Sequence, residues 1–118
     1  MKYLCLIYDD EKRLSARPES ESAAVLAEYF AFTDDIQKSG HYIAAEALQP
    51  VQTATTVRIR NGKVSTTDGP FVETKEQLGG FYLIEARDLN DALSVASRIP
   101  AARTGSIEVR PIRTFDRD

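Results

Sequence analysis

The 118-residue sequence predicts an α+β fold, a ferredoxin-like β-α-β repeat with an inserted β-hairpin. Two short runs, Lys2 to Tyr8 and Phe81 to Ala86, are apolar at nearly every position, as strands buried on both faces are. Each run is followed by a segment whose apolar residues recur at helical spacing. Between the two halves, Asn61-Gly62 separates two β-prone runs, and that pair suits the positive φ angles of a type I′ turn.

The elements follow in order. Asp9-Asp10-Glu11-Lys12-Arg13 ends the first strand. From about Ser20 to Ser39 a helix is expected, with Ala23, Leu26, Phe30 and Thr33 on its apolar face, Tyr29 and Ile36 beside them, and Gly40 as a left-handed stop. His41 to Leu48 reads as a second strand, closed by Pro50. In the hairpin, Thr55 to Arg60 and Lys63 to Thr67, the side chains of Val57, Ile59, Val64 and Thr66 share an inner face and Arg58 and Arg60 face solvent. Asp68-Gly69-Pro70-Phe71 predicts a shaped loop, because proline fixes its own φ and restricts the residue before it. Glu73 to Leu78 is expected to hold one helical turn, and Gly79-Gly80 to precede the next strand. Asp88 then caps a second helix with Leu89, Ala92, Leu93, Ala96 and Ile99 as its stripe and Pro100 at its end. Ser106 to Arg110 alternates as a strand with one buried side.

Length and composition set the frame. Residues 1–118 suit a single domain, and the 42% hydrophobic and 28% charged fractions are those of a globular protein. No apolar run approaches the ~20 residues that span a bilayer, and the run after Met1 is too short for a signal-peptide core. A cytoplasmic location is expected. Cys5, the single cysteine, has no internal disulfide partner. A net charge of −3 with no basic stripe argues against nucleic acid. Two helices can shelter only one face of the sheet, so a homodimer packed sheet to sheet is expected to cover the other.

The stretch Thr66-Thr67-Asp68-Gly69-Pro70-Phe71-Val72-Glu73-Thr74-Lys75-Glu76-Gln77-Leu78-Gly79-Gly80-Phe81-Tyr82 resembles the signature of the YCII-related proteins, in the branch named for its Asp-Gly-Pro-Phe motif. Similarity to that branch also covers Met1 to Leu4, Glu46 to Pro50, the hairpin from Thr55 to Val64, and Gly105 to Pro111. The resemblance implies a dimeric α/β barrel of ferredoxin-like protomers. It implies no settled activity: some relatives are cofactor-free enzymes on chlorinated hydroxylated aromatics, and others occur beside extracytoplasmic-function sigma factors. The helix-borne histidine of the shorter YCII branch, the suspected partner of a nearby aspartate, falls near Tyr29 here, so that dyad does not carry over.

Candidate chemistry lies in two places. Asp68, Glu73 and Lys75 surround the Gly-Pro bend, where they can supply a base, an acid and an anion clamp with Phe71 as an apolar contact. The plainer reading has Asp68 bonding its own turn and Glu73 and Lys75 pairing with each other or with a partner. Tyr29 and Glu46 are expected to line a cleft between the first helix and the sheet, Tyr29 donating a hydrogen bond; as core, Tyr29 needs no such role. His41, the only histidine, reads as a solvent-facing strand start, and no spaced metal-ligand set accompanies it. Cys5 reads as a small buried hydrophobe. Gly79-Gly80 is not a phosphate loop, since no helix follows it directly.

The leading expectation is a protein that binds a small organic ligand and performs cofactor-independent acid-base chemistry of lyase or isomerase type. Asp68, Glu73 and Tyr29 are its candidate catalytic residues, and Glu46, Lys75 and Phe71 its candidate binding residues, with no metal or cofactor. The alternative is a non-catalytic accessory or regulatory protein associated with an extracytoplasmic-function sigma factor.

Overall fold

The chain runs β1 (Lys2–Asp9), α1 (Glu11–Ser15), α2 (Glu19–Lys38), β2 (Tyr42–Ala47), a 3₁₀ turn (Val51–Thr53), β3 (Thr55–Arg60), β4 (Lys63–Asp68), β5 (Gln77–Glu85), α3 (Leu89–Ala96), a second 3₁₀ turn (Pro100–Arg103) and β6 (Ser106–Pro111) in the computed structural model, which describes residues 1–116. Strands β2, β5, β1 and β6 lie side by side in that order, each neighbouring pair antiparallel. Each β-α-β half therefore straddles a strand of the other, β5 lying between β1 and β2, and β1 between β5 and β6. That interleaving is the ferredoxin-like arrangement.

Side-chain alternation sorts the sheet into two unlike faces. Tyr3 and Cys5 of β1 and Tyr82 and Ile84 of β5 join Phe32 and Ile36 of α2 and Ala92, Val95 and Ala96 of α3 in one buried core. Phe32 meets Tyr82 edge to face, ring centroids 5.0 Å apart, a favoured aromatic geometry. The other face presents Leu4, Leu6 and Tyr8 of β1 beside Phe81 and Leu83 of β5; Leu4 opposes Leu83 and Leu6 opposes Phe81. These five are half-buried and outside the helix-side core.

α2 buries a stripe beside the one expected, and of the stripe expected for α3, Ala92, Ala96 and Ile99 are buried but not the rest. In α2, Phe32 and Ile36 are buried while Leu26 and Phe30 are 53% and 62% exposed. The half-buried Val25 and Tyr29 continue the buried line at intervals of three and four. Two adjacent stripes of this helix have apolar spacing, and the sheet takes one while the other borders a cleft. In α3, Val95 replaces Leu89 and Leu93, which are 49% and 45% exposed. Asp88 caps α3 as expected, its carboxylate accepting from the Asp91 backbone N–H at 2.8 Å. The helix stops at Ala96, before the expected boundary at Pro100, which instead opens the second 3₁₀ turn.

The expected helical turn over Glu73 to Leu78 is not formed. Thr74 Oγ1 and Gln77 Nε2 donate to the carbonyls of Glu76 and Thr74, local bonds that compete with a helix. Gln77 already begins β5, which places Gly79 and Gly80 inside the strand rather than before it. The β1–β5 register steps from Ile7↔Gly80 to Tyr8↔Leu78, so Gly79 is the extra residue of a bulge.

The hairpin turns at Asn61 (φ 53°) and Gly62 (φ 76°), the two positive angles a type I′ turn requires. Val57 opposes Thr66 and Ile59 opposes Val64, so the four share a face as expected. It is not an inner face within the protomer: Val57, Ile59 and Val64 are 63%, 64% and 67% exposed. β3 and β4 form a separate two-stranded sheet, closed at its base by Gly69 N–H to the Ala54 carbonyl at 2.7 Å and Thr56 Oγ1 to the Gly69 carbonyl at 2.8 Å.

Candidate functional site

A cleft of about 760 Å³ opens on the helix-covered side, bounded by α2, α1, the sheet and the second 3₁₀ turn. Its walls are largely apolar, with Ile7, Leu14, Val25, Leu26, Phe30 and Pro100 among them. The α2 stripe that the core leaves uncovered forms one side of it.

At the end of β1, Asp9 enters the cleft as a carboxylate only 7% exposed. Its Oδ1 accepts from the Asp10 backbone N–H at 2.8 Å, and its Oδ2 accepts from Arg13 Nη2 and from Thr104 Oγ1, each at 2.8 Å. Asp9 thereby ties strand, α1 and the approach to β6 together. Gly105 makes this possible, because a Cβ there would lie 2.0 Å from the Tyr8 carbonyl oxygen and 3.0 Å from Asp9 Cγ. The strand that aims Asp9 inward is the one whose alternate residues, Tyr3 and Cys5, fill the core.

Polar groups cluster near that carboxylate. Thr33 Oγ1 and Tyr82 OH share a hydrogen bond at 2.7 Å. Burial pushes the Tyr29 phenol above its usual range, and the Ala101 backbone N–H and the Arg17 charge offset that only in part. Burial pushes Tyr82 up as well. Both tyrosines are therefore protonated hydrogen-bond donors at neutral pH. Arg17 lines the cleft with its Nε buried and without a hydrogen-bond partner. Arg103, at the rim, grips Glu28 with two bonds at 2.6 and 3.0 Å, which hold the Glu28 carboxyl below its usual range.

The structure separates the residues singled out in the sequence. Tyr29 and Glu46 line the cleft. Asp68, Phe71, Glu73 and Lys75 are exposed and absent from its lining: Asp68 ends β4 opposite Thr55, and the other three occupy the segment leading to β5. No Glu73–Lys75 ion pair forms among the described residues. Asp9, Arg17 and Thr104 of the cleft, with Arg13 on Asp9, are residues that the sequence does not mark, since the acidic run reads only as the end of a strand. The available signal was the position of Asp9, in phase with Tyr3, Cys5 and Ile7.

His41 is not solvent-facing. Its Nδ1 lies 2.7 Å from Ser39 Oγ and its Nε2 3.1 Å from Asp91 Oδ2, so it pins the entry of β2 to α3. The Arg87 backbone N–H, with His41, holds the Asp91 carboxyl down at about 2. Burial pushes the Cys5 thiol up to about 11, which leaves it inert at neutral pH. Among the described residues no group of three His, Cys, Asp or Glu side chains can hold a metal ion, and no helix is long and apolar enough to cross a membrane.

Three comparisons place this geometry among known proteins. A family model described as the YCII-related domain matches residues 1–116. An uncharacterized protein of Rhizobium meliloti is 38% identical over 117 residues, covering 98% of this chain and 94% of its own. Among solved structures, the 5-chloro-2-hydroxyhydroquinone dehydrochlorinase of Burkholderia phenoliruptrix, in complex with 2,5-dihydroxybenzoquinone, superposes with a TM-score of 0.51. It is 15% identical, and the match covers 98% of this chain and 96% of that one. At that identity the likeness is one of fold. With its whole described length matched, the chain belongs to the YCII-related family.

Proposed function

We propose that this protein binds a small, flat organic molecule in the cleft between α2 and the sheet and moves a proton on it without a cofactor, as a lyase or isomerase does. One observation carries the reading: a cleft of ligand size, about 760 Å³ with apolar walls, converges on a buried carboxylate and protonated phenols. In this reading Asp9 is the proton acceptor, since Oδ1 takes a single hydrogen bond and keeps a free acceptor site. Tyr29 donates to the ligand and Thr33 and Tyr82 orient it, whereas the Glu46 side chain, paired with Phe81, faces the open side of the sheet and takes no part. The fold's capacity for such a ligand is supported by its structural neighbour, a dehydrochlorinase in complex with 2,5-dihydroxybenzoquinone.

The test is an NMR titration of the labelled protein with a panel of hydroxylated benzenes and hydroxyquinones, with conversion followed by absorbance. Binders should shift Tyr29, Thr33 and Tyr82 and leave the hairpin unmoved. Asp9→Asn should bind and fail to convert. Shifts confined to the hairpin and its loop would overturn the reading.

We also propose that the chain works as a homodimer, built on the open sheet face and the hairpin. The radius of gyration is 16.6 Å, against about 13.5 Å for a compact domain of this length. The accessible surface is 8653 Å² at 13.1 kDa, against about 6,400 Å² for a typical folded monomer of that mass. The excess, roughly 2,250 Å² on one protomer, is well above the ~800 Å² that each partner of a standard interface buries and is of the size an obligate dimer covers. Leu4, Leu6, Phe81 and Leu83 supply an apolar centre, and the hairpin adds Val57, Ile59 and Val64. Asp68, Phe71, Glu73 and Lys75 then belong to this association surface, with no role in the cleft. Sedimentation should show a dimer at micromolar concentration. A monomer that leaves the hairpin free would instead favour the accessory reading, with a heterologous protein such as a sigma factor on that surface.

A further inference from the structure

We propose that the ligand of the cleft is an organic anion, an aromatic or similarly flat carboxylate or phenolate, whose charge is received by Arg17. This rests on the cleft reading above and narrows it to one chemical class.

Among the described residues, the arginines around the cavity are ion-paired, with one exception. Arg13 is engaged by Asp9 at 2.8 Å and Arg103 by Glu28 at 2.6 Å. Arg17 lines the same cavity, is partly buried, and has no acidic partner within ion-pairing distance among the described residues. Its Nε is closed off from solvent without a hydrogen-bond acceptor. A guanidinium cannot shed its proton to escape such a position, and a buried donor left unpaired is costly. Nε itself is sealed by protein and is not reached from the cavity, so an anion there meets the unpaired guanidinium end-on, through its Nη groups.

The surroundings select where that charge can sit. The other cavity-lining carboxylates do not compete for Arg17: Asp9 is held by Arg13, Thr104 and a backbone N–H, and Glu11 accepts from the Val51 backbone N–H at 3.1 Å. Glu46 is exposed, opposite Phe81 in the strand register. Arg17 and Tyr29 line the same cavity, so a ligand held there on Arg17 has a protonated donor in the same wall. Arg17 immediately precedes Pro18, which restricts its backbone and holds it at the junction of α1 and α2. The Lys75 clamp expected from the sequence lies outside the cavity, and Arg17 takes that role within it.

The experiment compares 4-hydroxybenzoate with its neutral isostere 4-hydroxybenzamide by NMR titration of the full chain, wild type, Arg17→Gln and Arg17→Lys. The wild type should prefer the acid by at least about tenfold, with shifts at Tyr29 and Thr33. Arg17→Gln should abolish that preference and leave the amide unaffected, and Arg17→Lys should retain part of it, as a point charge without the fork. Equal binding of acid and amide by the wild type would overturn the assignment and leave the cleft reading intact. Preference for the acid that survives in Arg17→Gln would likewise overturn it. If neither probe shifts a cleft residue, both the assignment and the cleft reading fall. The wild-type comparison needs no variant, so misfolding of either substitution does not shield the proposal.

Discussion

The central sheet and the hairpin are built from similar residues and have opposite fates. Ile84 and Cys5 are 0% exposed in the sheet, whereas Ile59 and Val57 in the hairpin are 64% and 63% exposed. Both regions pair their strands antiparallel around alternating apolar side chains, the sheet with one bulge at Gly79 and the hairpin with none. What differs is the cover, two helices over one face of the sheet and, among the described residues, nothing over the apolar face of the hairpin. Strand pairing is a local matter, decided by alternation and turn chemistry. Burial is not, because it depends on what lies opposite.

That comparison breaks most sharply in the core. Ile84→Ala should cost about 2–5 kcal/mol in urea unfolding, the range for emptying a fully buried aliphatic site. A loss below the lower end would mean that the sheet is no better packed than the arm. Gly105→Ala should follow at roughly 1–3 kcal/mol, since its Cβ would meet the Tyr8 carbonyl at 2.0 Å. It should also displace Asp9 and weaken ligand binding in the same protein, read by titration against the wild type.

Acid sensitivity gives a milder test on the α3 side. The Asp91 carboxyl is depressed from 3.8 to about 2 in the folded chain. A depressed carboxyl adds stability that is fully present above its unfolded pKa and disappears as pH falls through the folded one. Stability should therefore decline between about 3.8 and about 2, and Asp91→Asn should flatten that part of the profile. Unchanged slopes would mean that the Arg87 and His41 contacts do not hold in solution. The smallest effect is expected in the arm: Val57→Thr with Ile59→Thr should alter protomer stability by no more than ~0.5 kcal/mol while weakening self-association in sedimentation. A large stability loss without any change in association would mean that the arm folds back on its own chain.

Much of the fold was legible in the residues. The strand-rich ends, the Asn61-Gly62 turn and the Asp88 cap are local signals whose chemistry does not depend on distant contacts. The site was legible only in part. Tyr29 and Glu46 reached the cleft from a reading of its position, yet the conspicuous Asp68 to Lys75 segment did not. Its turn chemistry explains that segment's prominence as well as a catalytic role would. Asp9 and Arg17 went unnoticed because each sits where an ordinary strand end or helix junction also puts a charged residue.

By itself the sequence determined the order of the six strands and the two helices that cover the sheet, the apolar runs of β1 and β5 and the turn that makes a hairpin, since each follows from periodicity and backbone preference over a few residues. The tertiary structure alone decided which of two apolar stripes on α2 is core, that the hairpin stands apart from the sheet, and that Asp9, Arg17, Tyr29 and Thr104 share one cavity. Those outcomes depend on packing between segments far apart in the chain, and a helix with two usable faces carries no local mark of which one its neighbours will take.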